Sequence, residues 1–522
     1  MFPLGPSWQE GEPGEPAMSE PKRRFSPRFE EFAVRVMYFM TTIDSFVPLA
    51  AAAAWLGASR LFGTWQWSVW PAVSFALTWA AFWIADYYPT HVFVVPVWAV
   101  TLVLSGGVAP AEAAVIAGAC LVLGAATQVV FQGTPHVVAS RDRTVVWRML
   151  ASSARSLAPT TLSLPVPWLF STVLALNLAA TPADPGGWYV LHYAVLLAAA
   201  VLVRLTSPRT YVPEPHQPRP AGPISGRVIV LNIDGLSWYW FRRSAMPFLH
   251  EQMEQHAYAP EGAITVYRAL TNPAFASILT GAPPEVHGIR NNNLGQSLTI
   301  DALPDLVPAK LYGSVHMKHF SKPSWEVEWF SLVEHGAKAT EELLFARLRE
   351  DVAGRPELRL FIADISEVDF TGHSYGSYSR QYREAAARAD AHIRDFYRWL
   401  EESGHLADTT LIISSDHGLW INDHSYLISE QEKYTPLIFL GPHVRRLRLE
   451  GRPSIMDINA NVSYLLGVRY NEHSRGRVYP GAFIPPRVQE GRDGGGKEER
   501  ELVGSTSSGC SVSPARREGG GK

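Results

Sequence analysis

The predicted fold class is an α-helical transmembrane bundle followed by an α/β domain, a mostly parallel sheet sandwiched by helices. Three observations predict it. Six apolar segments crowd into the first 204 residues, a proline-rich stretch follows, and short apolar runs then alternate with helical patterns as far as about residue 485. At 522 residues the chain exceeds one ordinary core. A net charge of −3 argues against nucleic-acid binding. The two cysteines, Cys120 and Cys510, supply neither a disulfide framework nor a CxxC site, so any metal falls to Asp and His.

Residues 1–32 are rich in Pro, Gly, Glu and Arg without hydrophobic period and read as a disordered tail. Residues 33–206 read as a membrane domain with about six transmembrane helices, near 36–58, 67–85, 91–107, 111–131, 158–180 and 188–204. A spanning helix needs roughly 20 mostly apolar residues. Between Arg35 and Arg204 charge is sparse, and no lysine separates Lys22 from Lys310. Trp65, Trp67, Trp70, Trp83, Tyr87 and Tyr88 cluster near proposed ends, where interfacial aromatics sit. Asp44 interrupts the first segment and Pro96 the third; Asp44 and Asp86 are expected near an interface or locally paired. The chain is therefore expected in the cell membrane as a multi-pass protein, with membrane lipids as partners and no nucleic acid. Lys22, Arg23, Arg24 and Arg28 put the N-terminus inside, and Arg141, Arg143, Arg148 and Arg155 mark a second inside loop. Six spans then leave the following domain in the cytoplasm; an odd number reverses it.

Residues 207–225 form a linker, six prolines falling within 207–223, which predicts a stiff extended segment. Residues 226–485 form the α/β domain. Its candidate strands are 228–233, 358–364, 410–415 and 436–440. Tyr382, Ala386, Ala389, Ile393, Phe396 and Leu400 recur at spacings of four and three, a helix that Gly404 stops. Residues 486–522 are Gly-, Ser- and charge-rich and read as a disordered tail.

Four local patterns carry chemistry: Asp234 ending the run VIVLNID, Thr271 ahead of a helix, Asp369 with His373 after LRLFIAD, and Asp416 with His417 in SSDHG, His424 following seven residues on. Taken alone, Asp234 is a turn or cap residue, Thr271 an N-cap, and SSDHG a β-turn. Taken together in one α/β domain, where sites gather beyond the carboxyl ends of strands, they point to two ions and a hydroxyl nucleophile. Asp and His ligands suit zinc or manganese.

These stretches resemble the alkaline phosphatase superfamily, and within it the nucleotide pyrophosphatase/phosphodiesterase branch. The resemblance covers about residues 226–445. It rests on Asp234, Thr271-Asn272-Pro273, Thr280-Gly281, Pro284-Glu285-Val286-His287-Gly288-Ile289, Asn292, Asp369/His373 and Ser415-Asp416-His417-Gly418, in that order. It implies an alkaline phosphatase-like sheet and two divalent ions, Zn2+ foremost and Mn2+ as the alternative. One ion would be held by Asp234, Asp416, His417 and Thr271. The other would be held by Asp369, His373 and a further histidine, for which His424 leads over His316, His319 and His473. Thr271 would attack phosphorus and form a phospho-threonine, while Asn292 and the backbone N–H after Thr271 would bind phosphate oxygens. His287 is expected to pack or bond backbone, Asn291 and Asn293 to be turn residues, and Arg268 and Lys318 to face either substrate or a salt bridge.

The sulfatase relatives of this superfamily use Cys or Ser in a C/S-x-P-x-R motif, which Thr271 and its neighbours do not provide. Cofactor-independent phosphoglycerate mutases use serine and carry an insertion that the Thr271–Asp369 interval cannot hold. The expected activity is a membrane-anchored, metal-dependent phosphodiesterase or nucleotide pyrophosphatase acting on a nucleotide or lipid-linked phosphoester. The alternatives are a phosphoethanolamine-type phosphotransferase with the same nucleophile, and a catalytically silent ligand-binding membrane protein.

Overall fold

The structure is a computed structural model. It describes residues 27–40, 134–156, 185–219, 222–292 and 296–485, with isolated positions between 73 and 84. The proposed spans at 91–107, 111–131 and 158–180 lie outside the described residues, as do Asp44, Asp86, Asn293 and most of 36–58 and 67–85. The last proposed span falls in a helix, Pro185–Thr206. Among the described residues, no helix is long and apolar enough to cross a membrane.

The α/β domain is built on ten strands: β1 (Arg227–Ile233), β2 (Ala257–Tyr258), β3 (Ala263–Ile264), β4 (Ala309–Gly313), β5 (Glu326–Trp329), β6 (Leu360–Ile365), β7 (Thr409–Ser414), β8 (Tyr434–Thr435), β9 (Leu437–Leu440) and β10 (Leu447–Arg448). Eight form one sheet in the order β10-β2-β9-β7-β1-β6-β4-β5, and β3 pairs with β8. From β7 to β5 the strands run parallel. Strand β9 runs antiparallel to both β7 and β2. The four strands expected from short apolar runs are β1, β6, β7 and β9. Central parallel strands are covered on both faces, so their sequences are apolar throughout rather than alternating.

The two faces carry separate cores. Val228, Val230, Ile362 and Ile412 point into one with Phe275, Ile278 and Leu465. Ile229, Leu231, Phe361 and Ile413 point into the other, with Ile393, Phe396 and Leu400. The latter three belong to the helix Arg380–Glu402, whose buried stripe includes Tyr382, Ala386, Ala389, Ile393, Phe396 and Leu400. Ser379 caps its first turn, and Gly404 follows in a left-handed conformation, φ 76°.

Two expectations at the edges of the domain change. Residues 27–32, assigned from composition to the N-terminal tail, lie in a helix, Pro27–Met40. Pro27 starts it, Glu31 and Arg35 pair at 2.8 Å one turn apart, and Glu30 is buried where it accepts from the amides of Leu332 at 3.2 Å and Val333 at 3.4 Å. Residues 207–219 are extended, but they lie along the domain rather than standing clear of it. His216 C=O accepts from Val478 N–H at 2.8 Å, Gln217 donates to Gly476 C=O at 3.1 Å, and Pro218 C=O accepts from the Tyr470 hydroxyl at 2.5 Å. Prolines that cannot donate leave their carbonyls free for such contacts.

Candidate active site

Three adjacent parallel strands deliver the acidic groups to one edge. Asp234 follows β1 directly, Asp416 comes two residues after β7, and β6 runs into the helix Glu367–Tyr375 that carries Asp369 and His373. Because β1 lies between β6 and β7, the carboxylates converge through strand order alone. Gly235 permits the sharp exit from β1. Its φ is +73°, and a Cβ there would lie 2.6 Å from Asp369 Oδ1 and 2.8 Å from its Cα. Thr271 opens the helix Thr271–Thr280 as its first residue, Leu270 being the N-cap, so its hydroxyl is not spent on capping.

Two groups form around these residues. Asp234, Asp416 and His417 bring ligand atoms within 4.8 Å of one another, and so do Asp369, His373 and His424. His417 Nε2 lies 3.4 Å from Asp234 Oδ1, 3.2 Å from Asp416 Oδ2 and 3.3 Å from Thr271 Oγ1. His373 Nε2 lies 3.3 Å from Asp369 Oδ2 and 3.0 Å from His424 Nε2, and the His417 and His424 rings stack at 3.7 Å. His424 thus joins the second group, and His319 and His473 join neither. The seven residues named from sequence as ligands are brought together.

The imidazoles turn the same atom to the site. Nδ1 of His373 lies 2.8 Å from the Asn422 carbonyl and Nδ1 of His417 3.2 Å from that of Gly418; His424 Nδ1 bonds the Ala269 carbonyl. A carbonyl only accepts, so each ring carries a proton on Nδ1 and directs Nε2 inward. Such an outer bond is what orients metal-binding histidines. Asp234 Oδ1, Asp369 Oδ1 and Asp416 Oδ2 are buried with no hydrogen-bond partner. Buried carboxylate oxygens left in this way call for a cation, and Asp/His donors fit zinc or manganese.

The electrostatics agree. Burial, then repulsion from Asp416, pushes the Asp234 carboxyl well above the usual range, and burial followed by Asp364 pushes Asp416 up to about 8. Burial lowers His417 to about 4 and, with His417 alongside, His424 to about 3. For Asp369 and His373 burial opposes charge, but their mutual attraction wins: Asp369 is held down and His373 rises to about 9.

Asn292 sits beside Thr271. Its Oδ1 accepts from Asn272 N–H at 2.9 Å. The amide after Thr271, expected to bind phosphate, is therefore engaged by Asn292, and the donor left for an anion is the Asn292 NH2 group. His287 is fully buried, with Nε2 2.9 Å from Ser277 Oγ and Nδ1 accepting from Ile289 N–H at 3.1 Å. It ties the helix Thr271–Thr280 to the Asn292 loop. Asn291 C=O and Oδ1 accept from Gln296 at 3.0 and 2.6 Å, and Lys318 lies 3.5 Å from Glu31, a salt bridge rather than a substrate contact.

Sequence reasoning missed a third group next to the first: Asp234, His316 and Asp364. His316 Nε2 is 3.0 Å from Asp364 Oδ2, and Asn232 donates to Asp364 at 2.9 Å and to Asp416 at 3.2 Å. The available signal was a polar residue inside each apolar strand, Asn232 in β1 and Asp364 in β6.

Residues 228–301 and 307–440 match the family model described as type I phosphodiesterase / nucleotide pyrophosphatase. The match takes in all seven candidate ligand residues and supports a phosphoester hydrolase or transferase. Among curated proteins, the chain is similar to GPI ethanolamine phosphate transferase 1 of Gibberella zeae, 29% identical over 123 residues, 23% of this chain and 12% of that one. It is also similar to an uncharacterized pyrophosphatase/phosphodiesterase of Schizosaccharomyces pombe, 26% identical over 225 residues, 37% of this chain and 44% of that one. The chain thus spans less than half the length of these relatives. Among solved structures, murine ectonucleotide pyrophosphatase / phosphodiesterase 5 matches at 14% identity and a TM-score of 0.39, over 47% of this chain and 96% of that one. Wild-type alkaline phosphatase PafA matches at 11% identity and a TM-score of 0.40, over 51% and 100%.

Proposed function

We propose that the chain is a membrane-anchored phosphodiesterase or pyrophosphatase that works through a phospho-threonine intermediate. The observation that carries this reading is the convergence of three inward Nε2 atoms and three unsatisfied carboxylate oxygens beside the Thr271 hydroxyl. Asp234, Asp416, His417 and Thr271 would hold one divalent ion, and Asp369, His373 and His424 the other. Zinc is the first choice and manganese the second. When bound, the pair supplies Lewis acidity: it lowers the hydroxyl pKa and neutralises charge on the leaving oxygen. Thr271 Oγ forms the new bond to phosphorus as the ester or anhydride oxygen departs with its electron pair. The Asn292 amide, aimed by Asn272 N–H, donates to a phosphate oxygen as charge builds there. Water then attacks phosphorus and frees Thr271.

The anchor is supported by the apolar segments of the first 204 residues and by the helix Pro185–Thr206, which leaves Val190, Leu191, Val195, Val201, Leu202 and Leu205 exposed. Six spans would put the site in the cytoplasm, near lipid-linked phosphoesters. The similarity to an ethanolamine phosphate transferase favours a second reading, in which an acceptor hydroxyl replaces water in the second step.

The test is trapping. A short incubation with a phosphodiester should leave Thr271 phosphorylated, seen by peptide mass spectrometry. Added acceptor alcohols should divert the phosphoryl product if the chain is a transferase. Full turnover by Thr271→Ala would rule out both readings.

A further inference from the structure

The segment 134–156, which the sequence assigns to the membrane domain, packs on the helix that carries Asp369 and His373. His136, on the helix Thr134–Ser140, stacks on Phe370 at 4.2 Å and 22°, and meets the His373 ring edge-on at 6.4 Å. Its Nδ1 lies 2.5 Å from Ser374 Oγ. The one hydroxyl proton of Ser374 goes to the Phe370 carbonyl at 2.8 Å, so Ser374 accepts and His136 Nδ1–H donates. Beside it, Tyr375 donates to Asp142 at 3.1 Å, the Arg148 guanidinium lies 5.4 Å over the Tyr375 ring, and Arg141 donates to the Glu334 carbonyl at 3.3 Å. The other end of this helix is fixed from within the domain, where Glu367 N–H donates to Glu341 at 2.9 Å and Arg388 clamps the Glu367 carboxylate. From the N-terminal segment this helix is held through His136 on Phe370 and Ser374, and through Asp142 and Arg148 on Tyr375.

We infer that His136 is a positioning residue for the Asp369/His373/His424 centre: the N-terminal segment sets how tightly this centre, and not its neighbour, holds an ion. The inference rests on the metal reading given above. His373 itself bonds the Asn422 carbonyl at 2.8 Å, so His136 acts one step removed, through Ser374 and Phe370, and its effect belongs at the lower end of the about 10–100-fold change seen when outer bonds to metal ligands are removed. The two centres lie on different parts of the chain, because Asp234, Asp416 and His417 follow β1 and β7 and make no contact with His136 given by the structure. A residue that supports the fold in general would weaken both centres; a positioning residue weakens one.

The experiment is a Zn2+ titration of the full chain, stripped of metal, in competition with a chromophoric chelator. In His136→Ala one of two sites should weaken about tenfold while the other stays within about twofold. His136→Phe, which keeps the stack and loses the bond, should fall between, and Ser374→Ala should match it. Equal affinities in folded His136→Ala, or a parallel loss at both sites with a lower melting temperature, would overturn the inference. If His136→Ala does not fold, His136→Phe and Ser374→Ala decide by the same criterion. A wild-type chain that takes up fewer than two ions would instead overturn the metal reading, and the inference with it.

Discussion

Asp234, Asp416 and His373 would have to lose protons before an ion could bind, and their environments set where that happens. Burial and neighbouring carboxylates push Asp234 well above the usual range and Asp416 up to about 8, and at His373 the attraction of Asp369 outweighs burial and raises it to about 9, while burial lowers His417 and His424 to about 4 and 3. Ion binding should therefore release protons at pH 7, and affinity should rise with pH between 6 and 9. Calorimetry in buffers of different ionisation enthalpy measures the release; a pH-independent affinity between 6 and 9 would contradict these assignments. The Thr271→Ala variant belongs to this scale too. Removing the hydroxyl should cut turnover by at least about a thousandfold, since no neighbouring hydroxyl lies 3.3 Å from His417 to replace it. Thr271→Ser should retain measurable activity, because the attacking atom is conserved. At this scale the ligands were legible as residue types in order. Asp364 was not, and His316 was named only as a rival for the other group: a charge inside a buried strand looks like core until the neighbouring strand shows what it faces.

Elements place these residues, and their integrity can be probed one at a time. A methyl at residue 235 would meet the backbone of Asp369 on a turn already at positive φ, so Gly235→Ala should displace Asp369 and lower activity more than stability. Comparing kcat with the unfolding midpoint separates these effects; unchanged kcat would mean the turn relaxes elsewhere. Ile393, fully buried in the helix Arg380–Glu402, is a contrasting site. Ile393→Ala should cost roughly 2–5 kcal/mol of stability in a denaturant melt and leave the kinetics of the folded fraction unchanged. The strands and this helix were readable because burial on both faces and an amphipathic stripe leave distinct periods. The docking of 134–156 on Glu367–Tyr375 was not, because a contact between residues 238 apart has no local period.

On the scale of the whole molecule, the N-terminal part is fastened to the α/β domain by Glu30 under the turn at Leu332, by His136 and Asp142 on the helix Glu367–Tyr375, and by the linker along Tyr470–Val478. The sequence predicted a stiff, extended linker, and residues 207–219 are extended and held on the domain by hydrogen bonds. Protease access to 207–219 in oriented vesicles is therefore expected to be slow from either side, and cleavage from one side only, after mild destabilisation, would report the compartment of the domain. Rapid cleavage in the native protein would show that the linker detaches. The proposed anchor was legible only as composition, since apolar length has no code for how segments pack.

The order of the central strands has a consequence for biosynthesis. β1, β6 and β7 are neighbours in the sheet, yet they enter the nascent chain more than 170 residues apart from first to last, and His424 comes later still. Neither centre can close until the ribosome has delivered nearly all of the domain. Cation uptake at the proposed centres would thus come late in synthesis. Stalled products that stop short of Ser414 would expose Asp234 and Thr271 with nothing to bind, and quality control would meet them as unfinished sheets.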